Sequence, residues 1–420
     1  MQMERPLGFT ETILALLHEK TAGTALITCV GEVEGKIDFL FFIQGLKYLW
    51  NCYPILSAKI ISSNQGYSIK QNVNFEQIPV RFLQLEDPTV WQEIMHQEIN
   101  TALPPSQYLW RATLISAKNQ LHHYIVITIH HSISDALSAV VILDALIRYF
   151  NYPEIKSKVV EFPAPVEKIY MPREKSIAIR DDKIAPEWLH ESTVPFTKRE
   201  SCFKYGRISA ADLEKIKLLS KKNMVSINSI LIAALLFSVR KIQQKNTGFQ
   251  LTTPVNLRAV NSNNLINEIA YLCGNVHTYH SIKEIIDFWQ LAKNYQQRLR
   301  DQIKNLHLQV DFEFSALKKL LEIVFNPSRN FFCKDLLVSN LGILNFNNTS
   351  NYKVKSFYPG LNGCAGDYGL IVAICSLPDH LLMTIGYCSP LISQEWITQF
   401  SITFKMIVKE YLKINVDFIN

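Results

Sequence analysis

The sequence predicts an α/β protein made of two subdomains, each a mixed β-sheet with covering helices. Three observations carry that prediction. At 420 residues the chain exceeds what one compact core usually organises, and two units of roughly 150–230 residues are the natural division. Hydrophobic residues make up 48% and charged residues 19%, which supplies apolar mass for two cores and argues against a disordered chain. Strand-like and helix-like patterns alternate on both sides of a proline-rich, charged stretch from Asn151 to Lys204, which reads as a surface connection. The resulting division is a first subdomain at 1–165, a connecting segment at 166–204 and a second subdomain at 205–420.

In the first part, Thr10 to Lys20 reads as a helix, with Ile13, Leu14, Leu17 and His18 at helical spacing. Thr24 to Val30 reads as a strand, and Asp38 is placed to cap a helix from Phe39 to Trp50. Pro54 marks a turn before a strand at Ser57 to Ser62, and Trp91 to Asn100 is helical until Pro104 and Pro105 break it. Arg111 to Ser116 and His123 to Ile129 read as strands, the second an apolar β-branched run typical of a buried position. His122 and His123 open that strand and read as an exposed strand start, and Asp135 to Phe150 follows as a well-packed helix. In the second part, Ala210 to Lys222 and Ser226 to Gln244 are expected helices, with Ser226 as N-cap. Strands are expected at Phe249 to Pro254, Leu337 to Ser339, Tyr368 to Ser376 and His380 to Tyr387. Ile392 to Tyr411 closes the chain as an amphipathic helix, with Trp396, Phe400, Phe404, Ile407, Val408 and Tyr411 at steps of three and four.

Composition excludes several functions. The formal charge of +6, from 43 basic and 37 acidic residues, is weak at this length, and no basic run or aromatic-basic alternation points to nucleic acid. It suits an anionic donor such as a coenzyme A thioester or an acidic carrier protein. Cys29, Cys52, Cys202, Cys273, Cys333, Cys364, Cys375 and Cys388 form no C-x-x-C pair and read as reduced thiols of a cytoplasmic protein. The opening residues lack the apolar run of a signal peptide, and the greasiest stretch, Ile230 to Phe237, is too short for a transmembrane segment. There is no G-x-G-x-x-G, P-loop or short repeat. A monomer is expected.

The chemistry concentrates at His130-His131-Ser132-Ile133-Ser134-Asp135, where a buried strand meets a helix. A strand-to-helix connection can hold an imidazole and a carboxylate rigidly, and a histidine titrates near neutral pH, as a general base requires. Asp135 lies close to the His131 backbone without needing to touch its ring; a buried ion pair that fixes the loop is the more useful role for its carboxylate. His131 and Asp135 also have i, i+4 metal-ligand spacing, but no third ligand stands at a useful distance, so no metal is expected.

This stretch resembles the HHxxxD(G) signature of the chloramphenicol-acetyltransferase-like superfamily, which includes condensation domains, alcohol acetyltransferases and polyketide-associated acyltransferases. Six further stretches resemble that superfamily in the right order. They are Arg5-Pro6-Leu7-Gly8 with Glu11; Tyr53 through Ile60; Leu109-Trp110-Arg111-Ala112; Val225 through Ser229 followed by Ala233-Ala234; Pro254-Val255-Asn256-Leu257-Arg258; and Val338-Ser339-Asn340-Leu341-Gly342. The chain departs from the pattern at Ala136, where glycine is usual, and lacks the D-F-G-W-G motif of the plant BAHD branch.

The resemblance implies two chloramphenicol-acetyltransferase-like subdomains forming a V, with a tunnel between them. It implies that His131 is the general base, that His130 supports the loop, and that Asp135 turns away to a structural pairing with Arg258. Ser339 and Asn340 would lie near the tunnel and contact substrate. The implied reaction moves an acyl group from an acyl-CoA or acyl-carrier-protein thioester, used as co-substrate with no bound cofactor, to a small-molecule hydroxyl acceptor. Amide formation by a free-standing condensation enzyme, and a silent scaffold that binds a carrier protein, are the alternatives. Partners are then the acceptor and the donor, with no nucleic acid.

Overall fold

A computed structural model describes residues 3–85, 87, 90–118, 121–170, 187–243, 247–258, 265–284 and 287–419. Of the expected connection, residues 171–186 lie outside the described residues. The first part runs β1 (Glu4–Pro6), α1 (Phe9–Lys20), β2 (Leu26–Glu34), α2 (Phe39–Cys52), β3 (Ala58–Ser63), β4 (Gly66–Gln71), β5 (Val80–Leu85), α3 (Trp91–Asn100), β6 (Trp110–Ala117), β7 (His122–His130) and α4 (Ala136–Asn151). After α5 (Val166–Ile169) come β8 (Glu200–Ser209), α6 (Ala210–Asn223), α7 (Ile227–Ile242), β9 (Gly248–Asn256), β10 (Cys273–Ser281), α8 (Phe288–Lys304) and α9 (Phe314–Val324). The chain then continues through β11 (Lys334–Ile343), β12 (Lys353–Leu361), β13 (Tyr368–Leu377), β14 (His380–Ser389), α10 (Gln394–Leu412) and β15 (Asp417–Ile419).

Two large mixed sheets with covering helices organise the molecule, as the sequence predicts. The order β12-β2-β7-β6-β5 makes one, β10-β9-β11-β13-β14-β8-β15 the other, and β1-β4-β3 form a small third sheet. β7 sits between β2 and β6, and its run Ile125, Val126, Ile127 and Ile129 is buried on both faces. That explains why the run reads as continuous apolar β-branched sequence rather than as an alternation.

One strand crosses between the halves. β12 belongs by sequence to the second half, yet pairs antiparallel with β2, Tyr358 opposite Val30. Pro359 and Gly360 argue against a strand there, but β12 lies at the sheet edge, where a missing backbone N–H costs no ladder bond. From β12 the chain returns through residues 362–367 to β13 in the other sheet.

Helix starts follow capping chemistry. Asp38 accepts from the Phe41 N–H at 2.8 Å, Ser226 from Ser229 at 3.1 Å and Ser393 from Trp396 at 3.1 Å. α7 is buried on all sides from Ser229 to Val239, which is why it lacks a polar face. α10 buries Ile397, Phe400, Phe404, Ile407 and Val408 at helical spacing, each contributing about 1.5–3 kcal/mol on burial. Among the described residues no single helix is long and apolar enough to cross a membrane.

Three features differ from expectation. His123 is fully buried rather than an exposed strand start: its Nδ1 bonds Ser116 Oγ at 2.7 Å and its Nε2 the Gly35 carbonyl at 2.9 Å. The stretch expected as a surface connection buries Trp188 and Arg199, the latter donating to the carbonyls of Val194, Cys364, Ala365 and Pro327. The strands β1, β4, β5, β8, β10, β12 and β15 and the helices α5, α8 and α9 also lie outside the expected elements. β10 is an edge strand whose outward residues are partly exposed, so its sequence reads as too polar for a strand.

Candidate active site

The strand β7 ends at His130, and residues 131–133 form one tight turn before Asp135 caps α4. Backbone bonds hold this loop between its neighbours. The His130 N–H donates to the Leu109 carbonyl and the His131 N–H to the Ala25 carbonyl, both at 2.8 Å. Ser134 Oγ donates back to the His130 carbonyl at 3.1 Å, and Ser132 Oγ to the Glu11 carbonyl on α1 at 3.0 Å. Both loop hydroxyls are therefore committed to backbone.

His131 is half-buried and lines a cavity of about 230 Å³ between the two halves. Its Nδ1 lies 2.7 Å from the Ser134 carbonyl, which can only accept. Nδ1 therefore carries the proton, and Nε2 keeps its lone pair. Burial lowers the pKa of this imidazole, only partly offset by the Ser134 carbonyl and the Asp135 charge, so the ring is neutral at pH 7. The Tyr271 ring packs beside it, with centroids 5.3 Å apart.

Asp135 does not bond the His131 ring. The Arg258 guanidinium grips its carboxylate bidentately, Nη1 donating to Oδ2 at 2.6 Å and Nη2 to Oδ1 at 2.8 Å. The N–H groups of Ser138 and Leu272 add bonds to Oδ1 and Oδ2 at 2.9 and 3.1 Å. Burial alone would raise the Asp135 pKa; the Arg258 charge and these donors outweigh it and hold the carboxyl below its ordinary value. For Arg258, burial opposes the charged form and Asp135 more than compensates, so its pKa is raised. The pair joins positions 123 residues apart and ties α4 to the chain beyond β9. Asn256 explains the spacing of the N-L-R stretch: its Oδ1 accepts the Arg258 N–H at 3.0 Å and turns the chain there.

His130 faces away from the cavity, fully buried. Ala136, in the position where glycine is usual, lines the cavity directly. Ser339 also lines it, but Asn340 does not. Successive strand side chains point to opposite faces, and the Asn340 amide donates to Asn228 Oδ1 on α7 at 3.0 Å.

The other cavity walls come from residues with no motif. Leu14 and Leu17 of α1 supply one, Leu337 of β11 another, Ile371 and Ala373 of β13 a third, and Tyr271, Cys273 and Asn275 stand near the imidazole side. The signal that exposes them is alternation. Tyr271, Cys273 and Asn275 are spaced by two, as are Leu337 with Ser339 and Ile371 with Ala373. Burial raises the Cys273 thiol well above its ordinary pKa, so it is a poor nucleophile. Among the described residues no group of three or more His, Cys, Asp or Glu side chains is placed to hold a metal ion.

The two-sheet fold is the chloramphenicol-acetyltransferase-like one, and the family it belongs to is one of acyltransferases. A family model for alcohol acetyltransferases matches residues 180–407, more than half of the chain, and the chain belongs to that family. No curated protein sequence matches it. Among solved structures it is similar to the trichothecene 15-O-acetyltransferase of Fusarium sporotrichioides at 11% identity and a TM-score of 0.72, covering 97% of this chain and 95% of that one. It is similar to polyketide synthase associated protein 5 of Mycobacterium tuberculosis at 13% identity and a TM-score of 0.67, covering 96% and 97%. The first condensation domain of the calcium-dependent antibiotic synthetase aligns with a TM-score of 0.73 at 11% identity, covering 100% and 99%. At these identities the likeness speaks for the fold.

Proposed function

We propose that this chain transfers an acyl group from a thioester, carried by coenzyme A or an acyl carrier protein, to a small-molecule hydroxyl. One observation carries the reading. A neutral imidazole, His131, faces an apolar cavity with its Nδ1–H held by the Ser134 carbonyl at 2.7 Å, which leaves Nε2 to take a proton.

The acceptor O–H gives its proton to His131 Nε2 as the oxygen attacks the thioester carbonyl. A tetrahedral oxyanion forms and collapses, the C–S bond breaks, and the imidazolium returns the proton to the leaving thiolate. No acyl-enzyme is required, which agrees with Ser132 and Ser134 bonded to backbone carbonyls and Cys273 held as a thiol. Ser339, on the cavity wall, supplies a hydroxyl that can meet the substrate. The reaction calls on no bound cofactor.

The test is mass spectrometry of products after incubation with a panel of acyl-coenzyme A and acyl-carrier-protein thioesters and matched alcohol and amine acceptors. Ester products are expected. Amide products alone would overturn the hydroxyl acceptor, and unconsumed thioester across the panel would favour a binding scaffold.

A further inference from the structure

Helix α1 meets the catalytic loop from its buried side at two points. Ser132 Oγ donates to the Glu11 carbonyl, and the His18 ring packs on the His130 ring with centroids 4.5 Å apart, inclined by 50°. Both rings are buried, and burial keeps both neutral, so each carries one N–H and one lone pair.

Their backbone partners fix which nitrogen carries the proton. His18 Nε2 lies 2.9 Å from the Leu103 carbonyl, which can only accept, so the proton is on Nε2 and Nδ1 is bare. His130 Nδ1 accepts the Ser132 N–H at 3.2 Å, so its proton is on Nε2. The two remaining nitrogens, His18 Nδ1 and His130 Nε2, are both buried without a partner among the described residues. One is an acceptor lacking a donor and the other a donor lacking an acceptor, on rings already in contact. Unpaired buried polar atoms are costly, so a bond between these two nitrogens would relieve both at once.

We propose that His18 is a positioning residue for His131. It accepts the His130 Nε2–H, locks the His130 ring against Ser132, and thereby fixes the turn whose Ser134 carbonyl holds the His131 proton on Nδ1. All donors then run one way, from the Ser132 N–H through His130 and His18 to the Leu103 carbonyl. The inference rests on His131 being the base, and sequence spacing gives no sign of it, because His18 reads as one more inward residue of an amphipathic helix.

The first readout needs no substrate. Nitrogen-15 NMR of the imidazoles reports which ring nitrogen carries the proton. In the wild-type protein at neutral pH, His18 and His130 are expected as Nε2–H tautomers and His131 as a single Nδ1–H tautomer. The opposite tautomer on His18 or His130 overturns the proposal without any variant. His18→Phe keeps the ring packing but removes the acceptor, whereas His18→Gln keeps an oxygen for His130 and an N–H for Leu103.

His131 is expected as a tautomer mixture in His18→Phe and as the single Nδ1–H form in His18→Gln. Turnover of an acyl-coenzyme A and alcohol pair that the wild type converts falls roughly 10- to 100-fold in His18→Phe with KM unchanged, as for a misaligned catalytic group. It recovers in His18→Gln. A single Nδ1–H form in a folded His18→Phe, with only the melting temperature lowered, would leave His18 as a packing residue. Retained turnover in His131→Ala would sink the base assignment instead, so the two failures are distinguishable.

Discussion

The two faces of the loop from His130 to Asp135 are built on opposite rules. On the cavity face, His131 keeps one ring nitrogen uncommitted among mainly apolar walls. On the face turned to the second half, Asp135 has no spare capacity: Arg258, Ser138, Leu272 and the Cys273 thiol all bond its oxygens. Unused hydrogen-bonding capacity marks where chemistry happens, and saturated capacity marks what holds it still. Activity and stability should therefore separate when the two faces are altered one at a time. The largest effect is expected for His131→Ala, with turnover reduced roughly 10²–10⁴-fold, the usual worth of a general base. Its melting temperature should stay near that of the wild type. An equal loss of stability would break the contrast.

The reverse is expected for Arg258→Ala. It leaves the Asp135 charge buried with only neutral donors, which costs about 3–5 kcal/mol when one partner of a buried pair is removed. Thermal unfolding should show a clearly lowered Tm, with turnover falling as a consequence of a loosened junction. A second buried pair, Glu98 with Arg111, sharpens the point. It lies entirely within the first half, joins α3 to β6, and is extended by the half-exposed Arg81 of β5. Glu98→Gln should lower Tm while leaving His131-dependent turnover intact at temperatures where the protein is folded. An unchanged Tm in Arg258→Ala would count against the brace.

The ends of that brace show how far sequence reaches. The resemblance marked both, His131 and Asp135 in one six-residue run and Arg258 in the N-L-R stretch, because each is a short local motif held by a cap or a turn. The two α/β subdomains were legible for a similar reason, since β7, α7 and α10 each follow a strong apolar period. Long-range closure left no such mark. β12 joins the first sheet from residue 353 onward because an edge position was open to a strand with a proline in it. Cys273 and Asn275 reach the site through alternation on a half-exposed edge strand, which looks polar in one dimension, and Tyr271 from the residues just before it. Asn340 shows the opposite error, since adjacency to Ser339 in sequence means opposite faces in a strand.

Acid should affect both faces, by different routes. Burial lowers the His131 pKa from its ordinary 6.5, so the acid limb of kcat/KM is expected below pH 6.5, with activity flat above it. His130 and His18 are also held below 6.5, so the unfolded chain binds protons that the folded chain refuses. Stability should then decline as pH falls below 6.5, by up to about 1.4 kcal/mol per group per pH unit until the folded value is reached. Asp135 acts later. Its folded pKa lies below 3.8, so the stability it contributes is present above that value and is lost as pH falls through the folded pKa. Urea melts across pH 3–7 check this, and a flat profile between 6.5 and 4.5 would mean that the buried histidines are not refusing protons.

The smallest expected effects test whether the cavity wall is assigned to the correct face of β11. Ser339 lines the cavity, and Asn340, one residue on, is exposed and bonded to Asn228. Ser339→Leu should fill space beside the reacting groups and cut turnover about tenfold by displacing substrate, because misplacement of reactants near 1 Å is already expensive. Asn340→Ala removes a single exposed hydrogen bond, so stability should move by less than about 0.5 kcal/mol and turnover should not change. A loss of turnover in Asn340→Ala with none in Ser339→Leu would reverse the two faces of β11. The apolar cavity at His131 would then need a different wall, and the contrast between an uncommitted face and a saturated one would no longer map onto the sides of this loop.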